Sequence, residues 1–361
     1  MLETLRAATI GQDRFVIQVR TLTDGGQAPL DIATAIADFV APARTALDLA
    51  QYDFHLSAGP RRVVTDALRA ASERGVKVRV MYNVDHRNPI PVPPPPEPDT
   101  VLIRSLGVPE RAIAGVPDLM HHKYVVRDSE AVWTGSMNWT DDSWSRQENV
   151  VMVVQSDAVA ARFAENFEEL WTTGAVEQSG FVKPVPLDVS GKAVRTWFTP
   201  GHGEPLSHRI AKAIGRARKV RICSPVITTA PVLATLAQII SEGRVDVAGC
   251  VDQPQMHGVI GQWRENGNAA WKLPLLETVL RGPFSAKPST PWRPDGSLHD
   301  FMHAKVTVAD NVVFAGSFNL SRSGERNAEN VLEIHDAALA ERLATYIDGV
   351  RALYGPATID A

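Results

Sequence analysis

Two stretches of the chain repeat one another. Residues 118–128 read DLMHHKYVVRD and residues 300–310 read DFMHAKVTVAD, identical at six of eleven positions with an offset of 182. GSMN at 135–138 then matches GSFN at 316–319, and ENV at 148–150 matches ENV at 329–331, both at offset 181. A duplication on this scale means two copies of one folding unit. One residue is lost between the first block and the second, as a turn between strands tolerates.

The flanks repeat in type. Each half opens on an apolar run, 46–54 and 219–227, that reads as a buried strand. A helical pattern follows at 63–75 and 230–243, with apolar residues three and four apart and a closing Gly. Further strands are expected at 76–83 and 245–251, and last helices near 157–172 and 336–354. Strand, helix, strand, hairpin-like strands and helix make an α/β unit with a mixed sheet. The expected division is an N-terminal extension at 1–29, a first repeat at 30–175, a linker at 176–193 and a second repeat at 194–361. The linker is placed where Pro, Gly, Ser and charge replace periodicity.

Composition narrows the class. With 44% hydrophobic and 22% charged residues in 361, the chain is neither disordered, collagen-like nor a coiled coil. A formal charge of −4 supplies no global basic field, so nucleic-acid binding would need a local patch. The two cysteines, Cys223 and Cys250, read as buried thiols, which fits a reducing compartment. No run approaches the roughly 18 apolar residues of a membrane span, and Glu3, Arg6, Asp13 and Arg14 interrupt the start. The expected location is cytoplasmic, and unconventional export is compatible with the same features.

The shared block is H-x-K-x-x-x-x-D twice: His121, Lys123, Asp128 and His303, Lys305, Asp310. On a strand, i and i+2 face one side, so each His projects with its Lys. Two such strands related by a pseudo-twofold axis would gather two imidazoles and two ammonium groups around one phosphorus. The ammonium groups, with the amides of Asn138 and Asn319, would hold the non-bridging oxygens and favour the charge of a five-coordinate transition state. One histidine would attack phosphorus and be phosphorylated; the other would protonate the leaving oxygen and later activate water or an alcohol. This chemistry requires no metal and no organic cofactor.

A nucleophilic imidazole needs a fixed tautomer, and Glu148 and Glu329, 27 and 26 residues after their histidines, are the candidates to fix it. Asp128 and Asp310 close their strands and reach either the site or turn amides. Ser136 and Ser317 either donate to phosphate or brace their loop. His299 and His303 imitate an H-E-x-x-H zinc helix, but the following Val306, Thr307 and Val308 favour a strand and the first half has Pro117 in place of His299. His122, His86 and His257 are unrepeated and read as packing or surface residues. The loops diverge: residues 89–98 hold seven prolines and read as an extended spacer, a partner contact or a pocket wall, and 252–299 carries Trp263, Trp271 and Trp292, for packing, for stacking on a substrate or for an interface.

The duplicated H-x-K-x-x-x-x-D with its following G-S-x-N, intact in both copies, resembles the phospholipase D superfamily over residues 30–355. The resemblance implies two pseudo-twofold-related α/β/α sandwich lobes with mixed central sheets and an active site in the cleft between them, formed within one chain. It implies a metal-independent phosphodiesterase with a phosphohistidine intermediate, His121 as nucleophile and His303 as acid and base. Within the family a phospholipid is the expected substrate, hydrolysed or transferred to an alcohol, with peripheral membrane contact compatible with it. A nuclease acting on single-stranded DNA or RNA is the alternative, since MHHK and ENV also resemble single-motif nucleases. Only nine of the 37 basic residues are lysine, which weighs against it. A non-catalytic scaffold would show decay in one motif, and neither has decayed.

Overall fold

The apolar runs of the two halves become the centres of two mixed sheets. The computed structural model describes residues 16–86, 98–267, 269–290 and 297–359. In the first lobe the strand order is Ile17–Leu22, Gln147–Gln155, Ala131–Gly135, Lys123–Arg127, Ala46–Gln51, Lys77–Val84 and Glu110–Ala114. The second lobe repeats it with Lys192–Phe198, Asn330–His335, Val312–Gly316, Val306–Ala309, Lys219–Cys223, Asp246–Asp252 and Phe284–Lys287, and adds Leu187–Val189 at the edge. The last three strands of each order run parallel and the other neighbours antiparallel. Helices Ala58–Glu73 and Ala230–Glu242 make the crossovers that parallel neighbours require.

The two last helices form a layer that both lobes share. Helix Asp157–Thr173 starts at Ser156, whose hydroxyl accepts from the Val159 N–H, and stops at Gly174, in the left-handed region at φ 70°. It buries Val159, Phe163, Phe167 and Leu170 on one face. Helix Ala337–Ala352 is capped by Asp336 and buries Leu339, Leu343, Ile347 and Val350. Both faces belong to one apolar cluster that includes Met152 and Val154 of the first sheet and Val306 and Leu332 of the second. The outer faces carry Pro29–Val40 with Ala58–Glu73, and Gly203–Arg216 with Ala230–Glu242, over separate cores. Each lobe is thus an α/β/α sandwich.

Some boundaries differ from the sequence reading. Ile17–Leu22, inside the expected extension, is hydrogen-bonded along Gln147–Gln155. The expected linker contains Leu187–Val189 and the first residue of Lys192–Phe198. The edge strand Ile17–Leu22 is made by a distant partner, and Leu187–Val189 is a three-residue strand folded back on Lys192–Phe198, so the local pattern of each is weak. Helices Pro29–Val40 and Gly203–Arg216 also went unread. Within 252–299 the chain forms helices Gln253–Asn266 and Leu273–Leu280, with Trp263 half-buried and Trp271 exposed. Trp292 and the proline stretch, apart from Pro98, lie outside the described residues.

Phe163 sits edge-on between Tyr124 of one lobe and Phe198 of the other, with ring centroids 5.1 and 5.0 Å away. Phe163→Ala is expected to cost about 3–5 kcal/mol in urea unfolding and to destabilise both lobes together. Loss confined to one of two separate transitions would contradict a shared core.

Candidate active site

Each motif histidine stands where its own lobe's sheet meets a strand of the other lobe. The His121 N–H donates to the Ala328 carbonyl at 2.9 Å and the Ala328 N–H to the Leu119 carbonyl at 2.8 Å, a parallel bridge across the seam. Its counterpart is Phe301–Met302, which runs parallel to Gln147 and Glu148 as an extra strand of the first sheet. The Met120 N–H donates to Asn83 Oδ1 at 3.0 Å and the Met302 N–H to Asp252 Oδ2 at 3.1 Å. Asn83 and Asp252 hold matching places in the two sheets.

This seam brings the two motifs together in a buried site rich in basic groups. His121 Nδ1 lies 2.8 Å from both oxygens of Glu329, a carboxylate of the other lobe. Lys123 Nζ donates to the His121 carbonyl at 2.7 Å and Lys305 Nζ to the His303 carbonyl at 2.8 Å. Tyr52, unread from the sequence and without an aromatic counterpart, packs edge-on against His121 at 4.4 Å and carries Lys123 Nζ 4.6 Å above its ring. Burial, then Lys123, Lys305 and His303, hold the His121 imidazole well below its usual range. Burial, then Lys305 and Lys123, do the same to His303. Burial brings Lys123 down to about 7 against the pull of Glu329 and Asp53, and pushes Glu329 up to about 8 against the pull of Lys123. An anion placed among these groups would return charge to both lysines and relieve the cost.

The second carboxylate is not where the sequence puts it. Gly135 pairs with Val151 and Gly316 with Val331, so the two lobes match at offset 180 from this strand onward, not 181. A slip of one residue turns a side chain to the opposite face of a strand. Asn149 therefore takes the place of Glu329, with Oδ1 3.2 Å from His303 Nδ1. Glu148 matches Ala328 and faces away, its carboxylate 3.0 Å from Lys287 Nζ and 2.5 Å from the Tyr354 hydroxyl. The ENV identity is one of letters only. The sequence signals of the slip are the caps Ser156 and Asp336, 180 apart, and the apolar faces behind them, Val159, Phe163, Phe167 and Leu170 against Leu339, Leu343, Ile347 and Val350, at the same offset.

Other expected site residues are brought to structural positions. Asp128, in the left-handed region, accepts from the N–H groups of Arg44, Thr45 and Ala46 and from the Thr45 hydroxyl. Asp310 accepts from the N–H groups of Arg218 and Lys219. Both aspartates therefore fasten the turn before a central strand and lie apart from the histidines. Ser136 and Ser317 are fully buried and brace rather than face a substrate: Ser136 donates to Asn149 Oδ1 at 2.7 Å, and Ser317 accepts from the Asn330 N–H and bonds Glu329. Gly135 and Gly316 are required beside them, since a β-carbon would sit 2.2 Å from the Val150 oxygen and 2.0 Å from the Asn330 oxygen. Asn138 and Asn319 keep side-chain amides unbonded among the described residues, with buried Oδ1 atoms. The stretch from His299 to His303 contains the strand Phe301–Met302, not a helical turn. His122 is buried, bonded to Asn330, and burial brings it down to about 3.

Comparison with known proteins supplies the context for this geometry. The profile of a family described as "Cardiolipin synthase, PLD-like domain" matches residues 36–171 and again 206–351. A human protein named mitochondrial cardiolipin hydrolase is 30% identical over 129 residues, 36% of this chain and 46% of that one. The chain thus spans about half the length of the curated relatives it matches. In fold it is similar to phosphatidylserine synthase of Haemophilus influenzae, with a TM-score of 0.63 at 12% identity over 93% of this chain and 86% of that one. It is also similar to polyphosphate kinase of Porphyromonas gingivalis, with a TM-score of 0.58 at 13% identity over 92% and 46%.

The position of Lys123 near 7 sets a pH dependence. A lysine loses its charge as pH rises, so kcat/KM on an anionic diester is expected to fall above about pH 7. Lys123→Arg, charged throughout, should move that fall to higher pH. An unmoved midpoint in an active Arg variant would remove Lys123 from anion binding.

Proposed function

The chain belongs to the phospholipase D superfamily, with a PLD-like domain in each half, and on that footing we propose that it is a metal-independent phosphodiesterase that acts on phospholipids through a phosphohistidine. The observation that carries this reading is the pairing of His121, backed by Glu329, with His303 across the seam between two lysines. His121 Nε2 attacks phosphorus; the bond to the leaving oxygen breaks, and His303 Nε2 gives that oxygen its proton. His303 then takes a proton from water or an alcohol, whose oxygen attacks phosphorus and displaces His121. Lys123, Lys305 and the unbonded amides of Asn138 and Asn319 hold the non-bridging oxygens as charge grows on them.

The lipid substrate is supported by the name of the human relative and by the absence of a strong basic field on a chain of charge −4. Among the described residues no helix is long and apolar enough to cross a membrane, so such a lipid would be reached from a membrane's surface.

The test is turnover by the purified protein, in EDTA, of phosphatidylglycerol, cardiolipin and phosphatidylcholine vesicles and of single-stranded DNA. Release of head group or phosphatidate in EDTA is the expected result. Cleavage of DNA alone would replace the lipid reading by a nuclease, and activity lost in EDTA but restored by zinc or magnesium would overturn the metal-free mechanism.

A further inference from the structure

Asn149 is the residue that faces His303, and its amide can face it in only one way. It is fully buried on the strand Gln147–Gln155, with Oδ1 3.2 Å from His303 Nδ1 and 2.7 Å from the Ser136 hydroxyl. On its far side Nδ2 lies 3.2 Å from the Ser143 carbonyl and 3.2 Å from the Ser143 hydroxyl. A carbonyl only accepts, so the nitrogen must point to Ser143 and the oxygen to the imidazole. Nδ1 of His303 therefore carries a proton, and Nε2 is the atom left to exchange one.

The matching place opposite His121 holds Glu329, at 2.8 Å. Carboxylate and amide do the same orienting but differ in charge. A carboxylate stabilises an imidazolium and makes it a weaker acid, whereas an amide orients the ring and offers no countercharge. The charges acting most on His303 are Lys305 and Lys123, followed by His299 on its own segment, with His121 across the seam. Glu148, next to Asn149 in sequence, is on the other face of the strand against Lys287.

We propose that Asn149 is a positioning residue that reserves His303 for proton transfer, by fixing its tautomer while leaving its imidazolium without a countercharge. The Nε2 proton then passes readily to the leaving oxygen. The covalent bond falls to His121, because phosphorylation makes that imidazole cationic, a charge that favours the ionised form of Glu329 against its burial and that the carboxylate then offsets. This rests on the two-histidine phosphodiesterase reading above.

The test is long-range proton–nitrogen NMR of the imidazoles in the free protein, which needs no turnover, together with pH profiles of the active enzyme. In the wild type the neutral His303 should carry its proton on Nδ1. In Asn149→Asp its midpoint should rise by about one pH unit or more, and the alkaline limb of kcat on a lipid should move with it. Asn149→Ala should blur the tautomer without raising the midpoint. A wild-type proton on Nε2, or an unmoved His303 midpoint in the Asp variant, overturns the proposal, and the first of these needs no variant to fold. A protein that titrates as expected yet cleaves no diester would defeat only the phosphodiesterase reading; an active enzyme with an unmoved midpoint would defeat only the role of Asn149.

Discussion

The hydrogen bonds that tie Leu119 and His121 to Ala328, and Phe301–Met302 to Gln147 and Glu148, are the interaction on which the site depends. Each motif's histidine begins at its own sheet but is held by the other lobe, so the catalytic geometry does not exist until the lobes dock. Docking also buries two lysines, two imidazoles and a carboxylate, at a cost of several kcal/mol per uncompensated charge. The apolar cluster under helices Asp157–Thr173 and Ala337–Ala352, drawn from both sheets, offsets that cost. What remains is a site of buried basic groups, held from their full charge by burial, that an anionic phosphodiester would return to the cationic state.

The seam is symmetric in backbone and asymmetric in chemistry. Glu148 and Lys287, buried against each other, occupy places that in the opposite half belong to Ala328 and Ile113, both within the shared apolar core. A buried ion pair of this kind adds little net stability over an apolar pair but is costly to break, so it fixes how the lobes meet. Lys287 also reaches Asp24 and the Arg146 carbonyl of the first lobe. The same one-residue slip that sends Glu148 there delivers Asn149 to His303.

Much of this was legible in the sequence because duplication compares the chain with itself. The repeated His and Lys, the G-S-x-N turns, the mixed sheets and the last helices, expected near 157–172 and 336–354 and found at Asp157–Thr173 and Ala337–Ala352, follow from pattern and spacing. The roles of Glu148, Asp128 and Asp310 do not. Glu148 shares its letters with Glu329 but not its register, and register is set by a strand partner that no local pattern names. Asp128 and Asp310 repeat because a turn needs them, which shows that repetition marks what the fold requires as well as what the chemistry requires. Tyr52 and Asn149, each without a chemical twin in the other half, were invisible to a comparison of halves.

The central claim is that the two lobes converge on one phosphorus with unequal histidines. The most direct measurement is mass spectrometry of His303→Asn and His121→Asn proteins quenched after exposure to an activated nitrophenyl diester, whose leaving group departs without a proton. The account predicts a phosphorus adduct on His121 in the first variant and none in the second. An adduct on His303 in the His121 variant, or none in either while the wild type turns over, would contradict it.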